Sequence, residues 1–452
     1  MDLSRALRIQ PKDVIAFVGG GGKTTAMFRL ANELVAHGQR VITTTTTRIF
    51  TAQIALAPHH VVHPEGQPIR ELLALLTEEL AYHPHTLVIG KPDHQIGKAF
   101  GVEPSAVEAM ASWPEVDIIL NEADGSRMRP FKAPADHEPV VPECTTLLVL
   151  VVGVDTLGRP LTDKYVHRAG RVAELARVET GVPVTPDIVA ATLTHPWGGL
   201  KGLPPRARAV PLINKVESRE ELTVACDLAH QLLTHHTIDA VIVGAMQRDD
   251  PVTEVFGRVA AIVLAAGASE RYGQSKQLLP WDGGTLLGHV TDMVLASQAD
   301  PVIVVLGHQA DACRVALGDR PVNIVVNSDW AQGQSSSVKA GLAALPANVS
   351  AAIFPLVDQP GVTPATINSL IESYRTTLAP VVWPEYGHQR GNPVLFDRVA
   401  FPNLMNVTGD TGGRSVLGAY ADQAERVPVS DPGILFDIDT RDDYIKAQSS
   451  LR

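Results

Sequence analysis

Residues 259–280 read Val-Ala-Ala-Ile-Val-Leu-Ala-Ala-Gly-Ala-Ser-Glu-Arg-Tyr-Gly-Gln-Ser-Lys-Gln-Leu-Leu-Pro. The apolar run 259–264 predicts a buried strand, and the small residues after it predict a loop. That loop carries two glycines, Gly267 and Gly273, and two cations, Arg271 and Lys276. A phosphate chain calls for this combination: small residues bring backbone N–H groups close to oxygens, and the cations neutralise charge. The run lies past the midpoint of the chain, and a second glycine-rich loop lies near the start. Two phosphate-binding loops predict two nucleotide-handling domains.

Length supports the division. The chain has 452 residues, too many for one ordinary core. Hydrophobic residues make up 45% and charged residues 19%, an ordinary globular balance, and the formal net charge is −11. That charge argues against a general nucleic-acid or membrane-surface binder. Three scattered cysteines without a Cys-x-x-Cys give no disulfide framework or zinc site and fit a reducing cytoplasm. No signal-peptide core or run of about 18 apolar residues is present, so a cytoplasmic protein is expected.

The first part alternates strands (13–18, 41–47, 86–89, 116–120, 146–152, 210–213, 240–243) with helices (24–37, 69–82, 220–233). From 259 the alternation restarts, with strands at 302–306, 323–327, 351–356 and 379–383 and helices at 286–296, 335–344 and 364–375. The expected fold class is α/β: a P-loop-like parallel-sheet domain (1–247), a polar linker (248–258) and a Rossmann-like nucleotidyltransferase domain (259–452).

In the first loop, Gly20-Gly21-Gly22-Lys23-Thr24-Thr25 fits the end of the phosphate-loop pattern Gly-x-x-x-x-Gly-Lys-[Ser/Thr], but Phe17 stands where its first glycine belongs. The loop is a shortened variant, similar to that of amide ligases that activate carboxylates with ATP. Lys23 is expected on the β- and γ-phosphates of ATP or another nucleotide, Thr24 on Mg2+ and Thr25 at the helix N-terminus. Ile118-Ile-Leu-Asn-Glu-Ala-Asp-Gly125 ends a strand in Glu122 and Asp124, where a second metal anchor is expected. The threonine run 43–47 suits a strand, and its place beside the loop offers hydroxyls to a substrate. The pairs His59-His60 and His235-His236 read as surface residues without a complementary ligand set.

Together with Phe131-Lys-Ala-Pro134, His137-Glu-Pro-Val-Val-Pro142 and Ile213-Asn-Lys-Val216, these segments resemble the YqeC family over about the first 245 residues. The resemblance implies nucleotide binding and an accessory role toward a molybdenum hydroxylase client. Asn214-Lys215 is similar to the guanine-reading Asn-Lys-x-Asp of GTPases, but residue 217 is Glu, which argues against guanine readout.

In the second part, Leu264, Gly267, Arg271, Gly273 and Lys276 fill the Leu-x-x-Gly-x-x-x-Arg-x-Gly-x-x-Lys signature of nucleotidyltransferases. Ile353-Phe-Pro-Leu-Val-Asp-Gln-Pro360 and Phe436-Asp-Ile-Asp-Thr-Arg-Asp-Asp443 supply Asp358 and Asp439, expected to converge on Mg2+, with Asp437 a structural carboxylate. Arg271 and Lys276 would neutralise the triphosphate as pyrophosphate leaves. With Gly391-Asn-Pro-Val-Leu-Phe396 and Gly409-Asp-Thr-Gly-Gly-Arg414, the last 195 or so residues resemble the MocA family within the MobA-like nucleotidyltransferase superfamily. That resemblance implies a cytidylyltransferase joining CTP to molybdopterin, the molybdenum cofactor. It places Leu264, Ala265, Ala266, Gly267, Gly273, Ser335, Ser336 and Gln359 at the nucleotide, with Ala266 and Gln359 favouring cytosine. It places Asn392, Asp410 and Arg414 at the cofactor side, Asn392 standing where the family commonly has His. Serines also cap helices, so some of the 335–337 run is expected to be structural. Two other readings stand beside this one: a transferase acting on a sugar or polyol phosphate, and a nucleotide-switched cofactor chaperone.

Overall fold

The computed structural model describes residues 1–93, 95–269, 272–411 and 413–450; the side chains of Thr411, Arg414 and Ser450 are outside the description. The chain divides into two compact units, Met1–Phe256 and Gly257–Arg452. The expected position of Arg271 lies outside the described residues, as does the side chain of Arg414.

The first unit is built on eight parallel strands: β1 (Val14–Gly19), β2 (Val41–Thr45), β3 (His59–Val62), β4 (His85–Ile89), β5 (Ile118–Glu122), β6 (Leu147–Gly153), β7 (Arg208–Asn214) and β8 (Ala240–Gly244). Their spatial order is β3-β4-β2-β5-β1-β6-β7-β8. Helices covering the sheet include α1 (Lys23–Ala36), α2 (Ile69–Tyr82), α3 (Pro104–Ala111), α4 (Ala169–Ala176), α5 (Pro186–Leu193) and α6 (Arg219–Leu233). With helices on its faces, a parallel sheet buries its strands on both sides, and they read as continuous apolar runs such as Leu-Leu-Val-Leu-Val-Val in β6, every residue of which is buried. Helix α6 starts at Ser218, whose hydroxyl accepts from the Glu221 N–H while the Glu221 carboxylate accepts from the Ser218 N–H, a reciprocal cap.

Phe17 explains the shortened phosphate loop. It is fully buried inside β1, so the strand runs on through the position where the longer motif would already have turned.

The second unit contains β9 (Val252–Ala265), which begins before the division, then β10 (Val302–Leu306), β11 (Asn323–Val326), β12 (Val349–Phe354), β13 (Val381–Tyr386), β14 (Val394–Asp397) and β15 (Glu425–Pro428). The order is β11-β10-β9-β12-β14-β13-β15. β9 through β12 pair in parallel, and β14 is antiparallel to both β12 and β13. Its main helices are α7 (Leu286–Leu295), α8 (Ala310–Leu317), α9 (Gln334–Ala343) and α10 (Pro364–Thr377). Both units are thus α/β, with sheets rich in parallel pairs.

Part of the stretch read as a linker at 248–258 is integral to the first unit. The Arg29 guanidinium donates to the backbone carbonyls of Arg248 and Asp249, and Phe256 is buried in the first core, edge-on to His230. Its polar composition hid Val252, Val255 and Phe256, all buried in β9. No helix among the described residues is long and apolar enough to cross a membrane.

Candidate functional site

In the first unit, the loop after β1 sits at the carboxyl end of the parallel sheet, where open α/β sheets bind ligands. Gly22 has φ 120°, a conformation that favours glycine, and a Cβ there would lie 2.4 Å from Asn214 Nδ2. Asn214 fixes the loop: its amide donates to the Gly21 carbonyl at 2.8 Å, and its side-chain oxygen accepts from the Lys215 and Met246 N–H groups. Asn214 is therefore a loop support, while the Lys215 ammonium pairs with Asp155 at 2.9 Å.

Lys23, buried at the start of α1, donates to the Gly19 carbonyl at 2.8 Å and lies 3.2 Å from Asp124 Oδ1 and 3.6 Å from Glu122 Oε1. Burial works against its charge, but Asp124 and Glu122 outweigh that and raise its pKa. Thr24 donates to Glu122 Oε2 at 2.8 Å. Burial pushes the Glu122 carboxyl up, opposed by Lys23 and Thr24. Asp124 turns inward: Oδ2 accepts from the Gly19 N–H at 3.0 Å and meets Lys132 Nζ at 2.9 Å. Asp124 thus clamps the loop through Lys23 and Lys132, and it is not among the residues lining the cavity. Glu122 and Thr24 face the cavity and fit the role of metal ligand.

That cavity has a volume of about 1030 Å3 and holds Gly21, Gly22, Lys23, Thr24 and Thr25 along one wall. Gly20 is not among its lining; a Cβ there would lie 2.5 Å from the Arg129 carbonyl, so Gly20 is required for packing. The threonine run contributes less than expected. Thr43, Thr44 and Thr45 are buried, bonding to His85, the Val88 carbonyl and the Glu122 carbonyl, and Thr46 bonds the Val140 carbonyl. Thr47 alone of the five lines the cavity.

Behind the loop a chain of charges continues. Lys132, buried, also meets Glu138 Oε2 at 2.8 Å, and Arg168 meets the same oxygen at 2.8 Å. Burial pushes the Glu138 carboxyl up, but the Arg168 and Lys132 contacts outweigh it and hold the pKa at about 2. His167 is held down at about 4, by burial and then by Arg168, Lys132 and Arg127, so it is a neutral imidazole at pH 7. The dense polar stretch 124–143, with Arg127, Arg129, Lys132 and His137, reads in the sequence as an active-site loop, but nothing in it points to Arg168.

Away from this cavity, His59 is not partnerless: its Nε2 lies 3.0 Å from Glu79 Oε2, and its ring stacks on His83 at 4.2 Å. His59, Glu79 and His83 each offer one ligand atom within 4.8 Å of the others, a set that the spacing of His59-His60 alone did not reveal.

In the second unit, Lys276 Nζ lies 3.4 Å from Asp358 Oδ2 and 3.0 Å from Asp439 Oδ1. The Ile438 N–H donates to the Asp358 carbonyl at 2.9 Å, joining the two acidic segments. Burial pushes the Asp358 carboxyl up, opposed by Lys276, while Asp437 raises it further. Two carboxylates sharing one ammonium leave a surplus negative charge, which fits a divalent cation. Asp437 accepts from the Gln359 amide, as a structural carboxylate would.

A cavity of about 580 Å3 opens beside them, lined by Leu264, Ala266, Gly267, Ser269, Lys276, Ser337, Asp358 and Asp410, among others. Gly267 has open space where a Cβ would stand. Gln277, which sequence reading missed, shapes the loop: its amide donates to the Ala265 carbonyl at 3.1 Å and the Gly267 carbonyl at 2.8 Å. Lys276 N–H donates to Ser269 Oγ at 3.2 Å.

Several expected contacts lie elsewhere. Of the three serines only Ser337 lines the cavity; Ser336 accepts from Asn327 and donates to the Gly333 carbonyl, and Ser337 also accepts from Asn327. Gln359 is 2% exposed and turned to Asp437, outside the cavity lining. Neither Ala265 nor Gly273 lines it; Gly273 has φ 80° and serves the turn. Asp410 accepts from the Gln334 N–H at 3.3 Å and lines the same cavity as Lys276 and Asp358. Asn392 lines a smaller, mainly apolar cavity with Phe354, Phe396 and Arg390; Leu264, Gln334 and Leu356 line both cavities.

Comparison with known proteins agrees with this division. Residues 15–170 match the family described as YqeC protein, and residues 261–425 match the MobA-like NTP transferase domain. The chain is 33% identical over 243 residues to the uncharacterized protein YqeC of Escherichia coli, covering 54% of this chain and 91% of that one. It is 33% identical over 189 residues to the nicotine blue oxidoreductase of Paenarthrobacter nicotinovorans, covering 40% of this chain and 92% of that one. It is 30% identical over 189 residues to the molybdenum cofactor cytidylyltransferase of Escherichia coli, covering 41% and 94%. Among solved structures, Rv0371c of Mycobacterium tuberculosis in complex with manganese is 30% identical with a TM-score of 0.38, over 43% of this chain and 99% of that one. The chain belongs to the YqeC family through its first unit and, through its second, is a MobA-like nucleotidyltransferase.

Proposed function

We propose that the second unit transfers CMP from CTP to the molybdenum cofactor. A terminal phosphate oxygen of the cofactor attacks the α-phosphorus of CTP, the bond to the β-phosphate oxygen breaks, and pyrophosphate leaves with the electron pair. The attacking group is already an anionic phosphate oxygen, so no strong general base is needed and positioning carries the rate. Lys276, held between Asp358 and Asp439, lines the 580 Å3 cavity together with Asp358, and this is the observation that carries this reading. Lys276 would meet the charge that develops on pyrophosphate. Asp358 and Asp439 would hold Mg2+, which supplies further neutralisation of the triphosphate. Asn392 and Arg390 line the adjoining apolar cavity, whose volume of about 70 Å3 would take only an edge of the acceptor and not the whole molecule.

The first unit, on this reading, binds ATP or another nucleotide on the Gly21–Thr25 loop, with Glu122 and Thr24 holding Mg2+, and serves the maturation of a molybdenum hydroxylase.

The oxidoreductase relative, 33% identical over 92% of its length, favours a second reading in which this fold acts on a redox substrate. One incubation separates them. CTP, GTP or ATP with Mg2+ and molybdenum cofactor is assayed for pyrophosphate and dinucleotide, with sugar and polyol phosphates as alternative acceptors. Pyrophosphate from CTP only when cofactor is present supports the proposal; none with any nucleotide, or release with a sugar or polyol phosphate instead, overturns it.

A further inference from the structure

The cavity of the first unit carries more cation than one nucleotide uses. Six Lys or Arg side chains line it (Lys23, Arg48, Lys98, Arg127, Arg168 and Lys215) against two carboxylates, Glu122 and Glu138. Lys23 is paired with Asp124 and Lys215 with Asp155, so the lining keeps a surplus of two positive charges, in a chain whose net charge is −11. With Lys23 assigned to the nucleotide, a phosphate monoester, which brings about two negative charges, matches that surplus. The volume points the same way. About 1030 Å3 is at the upper end for a single small-molecule pocket, typically roughly 300–1,000 Å3.

The backbone supplies an independent observation. Arg127, Met128, Arg168 and Lys215 have φ of 48°, 61°, 62° and 66°, and all four line this cavity. Side-chain-bearing residues rarely adopt that region, and such conformations persist where the surroundings impose them, often at ligand sites. Three of the four are cations, each on a different segment: after β5, before α4 and after β7. Arg127 is exposed and, among the described residues, has no carboxylate partner. A facing strand pair, Arg48–Phe50 and Lys98–Phe100, adds Arg48 and Lys98, each set over an aromatic ring at 4.8 Å.

We propose that this cavity holds two anionic ligands at once: a nucleotide on the glycine loop, and a phosphate-monoester substrate gripped by Arg127 with Arg48 and Arg168. The inference rests on the nucleotide reading of the loop given above. Arg127 would give the second phosphate a charge-assisted, two-pronged contact of the kind arginine makes best.

The test uses the full chain with a non-hydrolysable ATP analogue, titrated with inorganic phosphate and followed by phosphorus NMR line broadening. The variant is Arg127→Gly, at an exposed position where glycine suits the backbone. Saturable phosphate binding in the presence of the analogue, weakened about tenfold or more by Arg127→Gly while analogue affinity stays within about twofold, is expected. Phosphate that displaces the analogue, or affinities for both falling together in Arg127→Gly, would show one shared anion site and overturn the proposal. Lys23→Ala separates the two readings. Unchanged analogue affinity in that variant sinks the nucleotide assignment, and the phosphate titration of Arg127→Gly still decides the second subsite.

Discussion

Replacing Lys132 with Met isolates the energetic role of the buried charge chain behind the first glycine loop. The ammonium is 1% exposed and sits 2.9 Å from Asp124, 2.8 Å from Glu138 and 2.7 Å from the Gly125 carbonyl. Methionine matches its length and leaves two carboxylates and a carbonyl without their shared cation. Removing one partner of a buried pair typically costs about 3–5 kcal/mol. Here Lys23 still reaches Asp124 at 3.2 Å and Arg168 still reaches Glu138 at 2.8 Å, so the lower end applies, about 3 kcal/mol. For a unit of this size, ~1 kcal/mol moves the melting temperature by roughly 2–4 °C, giving a drop of about 6–12 °C. Differential scanning calorimetry of the full chain reads it, with the second unit's transition as internal reference. Adding Asp124→Asn should restore part of the loss, because Asp124 would otherwise have to share Lys23 with Glu122. A shift below about 2 °C, or an equal shift in both transitions, would refute the reasoning.

Other outcomes follow from the same geometry. Gly22→Ala should destabilise the first unit by more than about 2 kcal/mol in denaturant titration and abolish nucleotide binding there, since the new Cβ meets Asn214 Nδ2 at 2.4 Å and φ is 120°. Burial holds the His85 pKa at about 4, below its unfolded value of about 6.5. The neutral ring is therefore favoured in the folded state, and its contribution is full above pH 6.5 and lost as the pH falls toward 4. His85→Gln should accordingly flatten the pH dependence of first-unit stability in that window, measured by urea unfolding at a series of pH values. Lys276→Ala should lower kcat for pyrophosphate release about 10²–10³-fold with a smaller effect on KM for CTP; an unchanged kcat would remove Lys276 from the chemistry.

The parts legible in the sequence are those dictated locally. Strands such as β6 and β10 are unbroken β-branched or leucine runs because helices cover both faces of a parallel sheet, so composition alone marks them. Edge and antiparallel strands lack that signal. His59–Val62 is two histidines and two valines, and Glu425–Pro428 alternates exposure; sheet pairing, absent from the local pattern, makes them strands. The site divides in the same way. Lys23, Thr24, Lys276, Asp358 and Asp439 are legible as candidates because each sits in a short motif at or near an element boundary. Lys132 and Arg168 are 36 residues apart and meet only through Glu138, so spacing could not join them. Ser335 and Ser337 differ only in the face of α9 they occupy, which composition does not specify.

The second unit is proposed to make a cytosine dinucleotide cofactor. The most direct test is the product formed from CTP, Mg2+ and molybdenum cofactor by the purified full chain, identified by mass and quantified against pyrophosphate. The account predicts one dinucleotide and one pyrophosphate per CTP consumed, with GTP and ATP much poorer donors. Absence of dinucleotide while a sugar phosphate or a redox substrate turns over would contradict it.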